Sequence, residues 1–559
     1  MPSQWSPPQS APPCVAFEDD HLLVVRKPAG WNTHAPAPYA GEGLYDWLRA
    51  REPRWSRLAI IHRLDKETSG LIVFGKSVLA NQSLTQQFTE RSVCKDYVLW
   101  SHKRPSHESI TVRSTLMRRG SFYESVPHFG TAPLAETQFN IIANDRYWTV
   151  RASPKTGRTH QIRVHAAAEG FPVLGDELYG GEPWFRMCLH AHRLEFDHPT
   201  TGERVIFTWP ADFLSRPQVD RRSSIIVPAE TDSFRTVHGA ADDSLGWFVD
   251  RVGDWEIAQS EVADPAISTP RPTYAEMAGA HLAPVGRYFK TLSRHVGATQ
   301  PAQLQPSLAW GSAAPVPFYI RENGVRYQLS LQEGYSAGLF LDQRDNRRRL
   351  LKRHVCSGFP LDFKGEAQST LLNAFAYTCG FSVCGALAGF KVTSLDLSRK
   401  YLDWGRQNFS ANSLESSCHD WIFGDVFDWF KRLSKKGRQF DLLILDPPTF
   451  SRSKESGTFN VETGYAKLVQ LAVPLIKPGG VLFASTNAAR LDPEWFCSTV
   501  RSAAQESGRH VANEYYAPQP PDFPITPESP GYLKTYWLRL DFVPSTVEPP
   551  LPVEPEIFD

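Results

Sequence analysis

The sequence predicts a multidomain protein: an α+β part with a mixed or antiparallel sheet, followed by a doubly wound α/β part. Three observations support this prediction. The 559-residue chain is longer than one hydrophobic core normally needs. Short strand-like runs separated by turns fill residues 14–215, as in antiparallel sheets. From residue 316 onward strands and helices alternate, which is typical of a parallel sheet.

These patterns divide the chain into five segments. We expect disordered tails at residues 1–13 and 546–559, because both are rich in proline. Between them the sequence predicts the α+β domain over 14–215, a small α/β domain with a linker over 219–312, and the doubly wound domain over 316–545.

Composition narrows the class of protein. Lys+Arg and Asp+Glu number 60 each, so the net charge is zero and does not attract RNA. This balance does not exclude a local basic channel that binds RNA. One local basic cluster lies at residues 344–354. The eight cysteines form no Cys-x-x-Cys pair, so we expect no metal site. No signal peptide or membrane span is expected, and the default location is the cytoplasm.

The strands of the first half are predicted from apolar runs that end in turns. In chain order, the runs are "HLLVVRKPAG", "SGLIVFGKS", "KDYVLW", "YWTVRASP" and "RVIFTWP". A charged stretch from His62 to Glu67 lies between the apolar residues 60–61 and the run "SGLIVFGKS". Taken alone, Asp65 in this stretch is an ordinary turn or capping residue.

The surrounding motifs favour a chemical role for Asp65. The stretch "HRLDKETSGLIVFGKS" resembles the catalytic motif of RluA-type pseudouridine synthases. Three further stretches resemble the family in order and spacing: "DDHLLVVRKPAGWNTH", "KDYVLW" and "GRTHQIRVHAAAEGFPVLGDELYGG". The resemblance covers about residues 14–212. The small RNA-binding module that many relatives carry before the first motif is not expected here, so targeting would come from elsewhere.

The resemblance implies a pseudouridine synthase fold and a cofactor-free isomerisation of uridine. Asp65 would attack the sugar or the base, a role that a carboxylate can fill. Arg163 would stabilise its ionised form, and Tyr97 would stack on a base that has left its helix. His62 and Arg63, with a basic face around Lys27 and Lys66, would hold RNA phosphates. The alternatives are a surface arginine for Arg163 and core packing for Tyr97.

In the second half, acidic residues follow successive predicted strands. Asp396, Asp425 and Asp446 each stand directly after a strand or one residue beyond it. Carboxylates at the carboxyl edge of a parallel sheet can bind a ribose and an adenine. A glycine-containing loop precedes them at residues 375–380. Taken singly, each aspartate could equally be a helix cap.

This succession resembles class I S-adenosylmethionine-dependent methyltransferases with a Rossmann-like fold, and more narrowly the ribosomal RNA enzymes of the RlmI and RlmK type. Two stretches outside the cofactor fold, at 234–255 and 335–348, also resemble that subfamily, over about residues 230–543 in all. The resemblance implies S-adenosylmethionine as cofactor. Its implied cofactor-binding residues are Gln343, Arg344, Phe375, Tyr377, Gly380, Asp396, Asp425 and Asp446. Pro447, Pro448 and Phe450 would face the target base.

One departure limits the methylation reaction. Relatives that make 5-methylcytosine need a thiolate to attack the pyrimidine ring. The equivalent position here is Thr486, whose hydroxyl is a poor substitute. A guanine nitrogen is therefore the predicted target.

The sequence as a whole predicts a bifunctional RNA-modifying enzyme that isomerises uridine and methylates a base. Ribosomal RNA of the large subunit is the expected substrate, with transfer RNA as a second possibility. Two alternatives remain open: one half is catalytic and the other only binds RNA, or the protein is an assembly factor without turnover.

Overall fold

A computed structural model describes residues 11–260, 283–292, 305–332, 336–363, 368–453 and 457–542. The predicted tail at 546–559 and most of the one at 1–13 lie outside these residues. The chain forms two compact units. The first unit comprises Met1–Pro360 and Pro518–Gly531, and the second comprises Leu361–Ala517 and Tyr532–Asp559. Across the described ranges, no helix has the length and apolar character to cross a membrane.

Eleven strands form the main sheet of the first unit. They are β1 Val15–Glu18, β2 Leu22–Lys27, β3 Ala59–Ile60, β4 Ser69–Gly75, β5 Cys94–Ser101, β6 Ser109–Arg119, β7 Phe122–Val126, β8 Leu134–Asn144, β9 Trp148–Pro154, β10 Leu189–Asp197 and β11 Arg204–Thr208. Their order is β1-β2-β4-β10-β5-β9-β8-β6-β7, with β3 beside β4 and β11 beside β10. β4 and β10 are parallel, whereas the other pairs are antiparallel. The predicted mixed, mainly antiparallel sheet is confirmed.

Four helices belong to this part of the first unit: α1 Leu44–Arg51, α2 Val78–Thr89, α3 Gln161–Ala168 and α4 Pro217–Ile225. Helices α1 and α2 pack on opposite faces of β2 and β4. Leu23 and Ile72 join the core with α1, while Leu22 and Leu71 join the core with α2. Because alternate residues of a strand face opposite sides, a strand covered on both faces must be apolar throughout.

Strand β4 follows directly after the charged stretch that contains Asp65. All seven of its residues are buried. Its second residue, Gly70, has a φ of +120°, and a Cβ there would lie 2.3 Å from the carbonyl oxygen of Ala191. Glycine is therefore needed for β4 to pair with β10 at this point, and that pairing fixes the end of the charged stretch.

The described residues in the rest of the first unit form a smaller sheet, two hairpins and one α-helix. The five-stranded sheet has the order β12 Ser233–His238, β13 Trp247–Val252, β14 Trp255–Ser260, β15 Gly286–Thr291 and β16 Ser307–Gly311. The hairpins are β17 Phe318–Glu322 with β18 Val325–Leu329, and β19 His354–Cys356 with β20 Phe359–Pro360. Helix α5 spans Arg344–Leu351 between the two hairpins.

The second unit is a doubly wound α/β domain, as predicted. Its strands are β21 Thr370–Ala374, β22 Lys391–Asp396, β23 Asp420–Phe423, β24 Phe440–Leu445, β25 Phe450–Ser453, β26 Gly457–Asn460, β27 Ile476–Thr486, β28 Arg509–Tyr516 and β29 Lys534–Phe542. Its helices are α6 Gly380–Leu387, α7 Arg399–Ala411, α8 Val426–Lys435, α9 Val461–Ala472 and α10 Pro493–Glu506.

Seven of these strands form one sheet in the order β23-β22-β21-β24-β27-β29-β28. The first five are parallel, and β29 and β28 add an antiparallel edge. The strand order reverses between β21 and β24, the point at which doubly wound sheets bind ligands. β25 and β26 form a separate hairpin.

Candidate functional site

A cavity of about 600 Å³ opens in the first unit beside Asp65. It is bounded by the charged stretch, by β5 and by the segment that leads into α3. Its lining includes Asn32, Thr33, His34, His62, Arg63, Asp65, Lys95, Tyr97, Arg158, His160 and Arg163. A volume of this size suits a small ligand or a single nucleotide unit.

The carboxylate of Asp65 faces this cavity. Its Oδ2 lies 3.5 Å from Nη1 of Arg163 and 3.9 Å from Nε2 of His160, and its side chain is 32% exposed. The main-chain carbonyl of Asp65, not its carboxylate, accepts the N–H of Thr68 at 3.1 Å. The turn is thus closed by the backbone, and the carboxylate is available for chemistry.

The residue before Asp65 is clamped by a neighbouring loop. The hydroxyl of Thr33 donates to the carbonyl of Leu64 at 3.0 Å and accepts the Leu64 N–H at 3.3 Å. Both residues are buried. This double contact restricts the backbone from which the Asp65 side chain projects.

Arg163 is oriented by a second carboxylate. Its Nε and Nη2 donate to the two oxygens of buried Asp176 at 2.6 and 2.8 Å. This bidentate pair leaves Nη1 directed at Asp65. The guanidinium also lies over the ring of Tyr179, 5.0 Å from its centroid. The guanidinium of Arg163, which is far from Asp65 in the sequence, therefore lies next to the Asp65 carboxylate in the same cavity.

Tyr97 lies on β5 with its ring against the core and the cavity. Burial, and then the charge of Asp65, raise the pKa of its hydroxyl, so Tyr97 is neutral at physiological pH. Lys95, two residues earlier, reaches the same cavity. The sequence analysis missed Lys95, although period-two alternation along a strand puts it on the same face as Tyr97.

The lining of the cavity is strongly basic. Its cationic side chains are Arg63, Lys95, Arg158 and Arg163, and Asp65 is the single acid among the described residues that form it. A chain of zero net charge thus concentrates positive charge around one carboxylate. Such a lining attracts a polyanion.

One of the predicted phosphate contacts, that of Lys27, is wrong. Lys27 is fully buried, and its Nζ donates to the carbonyls of Pro28, Trp31 and Lys66. His62 lines the cavity as a neutral imidazole, because burial lowers its pKa to about 3, and its contact with a phosphate stays a prediction. Its Nε2 accepts the N–H of Val73. Arg63 is exposed at the cavity, where a phosphate could reach it.

In the second unit, the predicted aspartates lie at the carboxyl ends of three parallel strands of one sheet. Asp396 ends β22, Asp446 directly follows β24, and Asp425 is the N-cap of α8, where its Oδ1 accepts the N–H of Asp428 at 3.2 Å. The two oxygens of Asp396 accept the N–H groups of Tyr377 and Ser398 at 2.8 Å each. Burial raises the pKa of Asp396. Each oxygen has further lone pairs, so this carboxylate fits a pair of ribose hydroxyls.

The loop between β21 and α6 has an unusual backbone. Phe375, Tyr377 and Cys379 have φ values of +59°, +49° and +66°, a conformation that L-residues rarely adopt. The hydrogen bond from Tyr377 to Asp396 stabilises the loop. Strained loops of this kind cluster at ligand sites, and this one lies at the reversal point of the sheet.

Phe450 is 53% exposed at the start of β25, and Pro448 is also exposed, while Pro447 is buried. Gln343 and Arg344 belong to the first unit, where Arg344 donates through Nη1 and Nη2 to Asp522 at 2.8 and 2.6 Å. Their part in cofactor binding stays a prediction.

Thr486 at the end of β27 is fully buried. Its hydroxyl oxygen accepts the N–H of Ala488 at 3.2 Å. A buried hydroxyl held in this way is unsuited to attack a pyrimidine ring.

Comparison with known proteins places each part in a family. Residues 21–168 match the model for RNA pseudouridylate synthase, and residues 277–539 match the model for S-adenosylmethionine-dependent methyltransferase. A ribosomal large subunit pseudouridine synthase C of Yersinia pestis is 36% identical over 36% of this chain and 66% of its own length.

Two bacterial relatives match the second part. A ribosomal RNA large subunit methyltransferase of Deinococcus radiodurans is 30% identical over 57% of this chain and 76% of its own length. A Bacillus subtilis protein, also named for that activity, is 35% identical over 41% of this chain and 56% of its own length. The chain thus belongs to the ribosomal RNA large subunit methyltransferase family, and its N-terminal residues 21–168 are similar to RNA pseudouridylate synthases.

Proposed function

We propose that the protein is a bifunctional RNA-modifying enzyme. Its first unit isomerises a uridine to pseudouridine, and its second unit transfers a methyl group to a base, both in large-subunit ribosomal RNA. The observation that carries the proposal is the meeting of Asp65 and Arg163, 3.5 Å apart, in a basic cavity that a nucleotide can enter.

The isomerisation uses groups that the cavity already contains. Asp65 acts as the nucleophile or base when the bond between N1 and C1′ breaks. The uracil then turns, C5 bonds to C1′, N1 gains a proton and C5 loses one. Tyr97 stacks against the everted base, and the guanidinium of Arg163 stabilises the carboxylate in its ionised form. Arg63, with Lys95 and Arg158, holds the phosphates beside the everted nucleotide.

In the second unit, S-adenosylmethionine would supply the methyl group. Asp396 would bind the ribose hydroxyls and Asp425 the adenine amino group. The backbone of the loop from Phe375 to Gly380 would lie along the methionine, with Asp446 next to it. Pro447, Pro448 and Phe450 would orient the target ring, so that positioning supplies much of the acceleration.

A guanine nitrogen is the proposed methyl acceptor. Methylation at C5 of cytosine requires a thiolate that adds to the ring. The buried, hydrogen-bonded hydroxyl of Thr486 supports a target that needs no such addition. The eight cysteines are all free thiols, which suits a reducing cytoplasm.

Release of tritium from RNA that contains 5-tritiated uridine tests the first activity, because the C5 hydrogen leaves when C5 bonds to the sugar. The wild-type protein is expected to release tritium from a large-subunit ribosomal RNA transcript, and Asp65→Asn is expected to release none above background. Equal release by both proteins would refute the role of Asp65. No release by the wild type from either ribosomal or transfer RNA would favour a first unit that only binds RNA.

A further inference from the structure

His160 is placed beside the carboxylate of Asp65 by an uncommon backbone conformation. It precedes α3 with φ 55° and ψ 15°, in the left-handed region that few L-residues other than asparagine, aspartate and histidine occupy. Its Nε2 lies 3.9 Å from Oδ2 of Asp65, the same oxygen that faces Arg163. Two nitrogen groups on α3 and its start therefore flank one carboxylate oxygen.

The other ring nitrogen of His160 is held by Tyr179. The two atoms, Nδ1 and Oη, are 2.8 Å apart. The Tyr179 oxygen also accepts the backbone N–H of Tyr123, on β7, at 3.0 Å. The ring of Tyr123 packs edge-on against His160, with 5.7 Å between centroids. A continuous chain of contacts thus runs from β7 through Tyr179 and His160 to Asp65.

These contacts determine which nitrogen of His160 carries the proton. A lone pair on Nε2 would face the Asp65 carboxylate and be repelled, so Nε2 carries the hydrogen. Nδ1 must then accept, and the Tyr179 hydroxyl is its donor. Burial, and then the charge of Arg163, lower the pKa of His160, which keeps the ring neutral at physiological pH. The other charged groups that act on it are Asp65 and Asp176.

We propose that His160 is a positioning residue for the isomerisation: Tyr179 holds its Nε2–H toward Oδ2 of Asp65, which leaves Oδ1 of that carboxylate directed at the nucleotide. Within the described part of the chain, no group donates a hydrogen bond to Oδ1. As an RNA ligand excludes water from the cavity, the contact between Nε2 and Oδ2 shortens and the carboxylate loses its freedom to rotate. This inference rests on the proposed isomerase function.

Three variants of the full-length protein test the proposal by tritium release. Tyr179→Phe removes only the hydroxyl and keeps the ring beneath Arg163. It is expected to lower kcat about tenfold, the effect of losing one oriented hydrogen bond, with the KM for the RNA within about twofold of wild type. His160→Leu is expected to lower kcat at least as much. His160→Gln, whose amide can donate an N–H toward Asp65, is expected to recover at least about a third of the wild-type kcat.

Tyr147→Phe is the matched control, because it removes a hydroxyl from a tyrosine of the same unit that packs on Trp100 and Trp184 away from the cavity. It is expected to leave kcat and KM unchanged. Thermal unfolding of every variant identifies those that fail to fold. If His160→Leu fails to fold, the kcat of His160→Gln is compared with that of the wild type instead.

The outcomes separate this inference from the proposed function. A wild type that releases tritium, together with Tyr179→Phe and His160→Leu of unchanged kcat, would overturn the role of His160 and leave the isomerase function intact. A higher KM for the RNA in these variants, with kcat unchanged, would assign His160 to RNA binding and also overturn the proposal. A wild type without tritium release would instead refute the isomerase function itself.

Discussion

At the scale of single residues, Asp396 is the side chain of the second unit that we expect to contribute most to the affinity for the cofactor. It receives two backbone N–H groups, and its remaining lone pairs are suited to two ribose hydroxyls. Hydrogen bonds to a charged group contribute about 1.5–3 kcal/mol each. We therefore expect this one side chain to contribute much of the affinity for S-adenosylmethionine.

Asp396→Asn is expected to weaken S-adenosylmethionine binding at least about tenfold, because the amide replaces one acceptor with a donor and removes the charge. Isothermal titration calorimetry measures the change. Asp403→Asn is the matched control, since Asp403 lies on the exposed side of α7 and pairs with Arg406. Wild-type affinity in the Asp396→Asn variant would contradict the assignment of the ribose site.

The sequence predicts the role of a residue inside a recognisable motif better than the role of a residue whose surroundings depend on distant contacts. The motifs identify Asp65 and Arg163 as candidates, and the structure brings the two side chains together. Lys27 also stands in a charged segment after an apolar strand, yet its ammonium enters the interior. Its carbonyl partners include Lys66, from another segment of the chain. No local pattern distinguishes a lysine that faces a cavity from one that binds buried carbonyls.

At the scale of secondary-structure elements, α5 differs most from its sequence pattern. The cluster at 344–354 predicts a local basic surface, and this interpretation is wrong for the arginines of α5. Arg344, Arg347, Arg348 and Arg349 are all buried. They pair within the first unit with Asp522, Glu322, Glu52 and Glu42. Complementary carboxylates far along the chain convert an apparent RNA-binding segment into a structural one.

Helix α5 also joins the region that matches the methyltransferase model to α1, near the isomerase cavity. Asp345 accepts the indole N–H of Trp47 at 3.0 Å, and His354 donates to the carbonyl of Arg49 at 2.8 Å. The N-terminus of α1 is tied in turn to residues that line the cavity, because the N–H of Tyr45 donates to the carbonyl of Thr33. Helix α5 is therefore linked through α1 to the loop that lines the Asp65 cavity.

Arg349→Met is expected to reduce the free energy of unfolding of the first unit by about 3–5 kcal/mol, because it removes the guanidinium that pairs with the buried Glu42 carboxylate at 2.7 Å. Chemical denaturation measures the loss. Arg432→Met, which breaks an exposed pair with Asp428 on α8, serves as the control and should cost less than about 1 kcal/mol in the second unit. Equal effects of the two substitutions would contradict the structural role of α5.

The fully buried strands are the elements that the sequence predicts best. β4 and β24 contain the continuous apolar runs 71–74 and 442–445, bounded by charged or Asp-Pro segments, and both strands form as expected. The antiparallel edge formed by β28 and β29 is not predicted. Alternate residues of β28 are exposed, so its local signal is weak, and only pairing with β29 defines it.

At the scale of the whole molecule, the stability of the first unit depends on buried, neutral histidines. Burial lowers the pKa of His165 to about 4, of His190 to about 3 and of His238 to about 2. In the unfolded chain each histidine has a pKa of about 6.5. Below that value the unfolded state binds more protons than the folded state, so stability decreases as the pH falls.

Between pH 7.5 and 5.5 the free energy of unfolding of the first unit is therefore expected to decrease by about 1.4 kcal/mol for each of these histidines. Denaturation at the two pH values measures the decrease. His165→Gln can preserve contacts with Ser114 and Thr137 and cannot titrate, so it should make the decrease smaller by about 1.4 kcal/mol. An unchanged stability at pH 5.5 would show that these imidazoles accept protons without unfolding.

The proposed function puts two chemical sites in one protein, and mass-spectrometric mapping of ribosomal and transfer RNA tests this most directly. RNA from cells that lack the protein is compared with RNA from the same cells after they receive wild type, Asp65→Asn or Asp396→Asn. We predict that the deletion removes one pseudouridine and one methylated guanine from large-subunit ribosomal RNA. Asp65→Asn should restore only the methyl group, and Asp396→Asn only the pseudouridine. An RNA that keeps both modifications without the protein, or regains both with Asp65→Asn, would contradict a bifunctional enzyme.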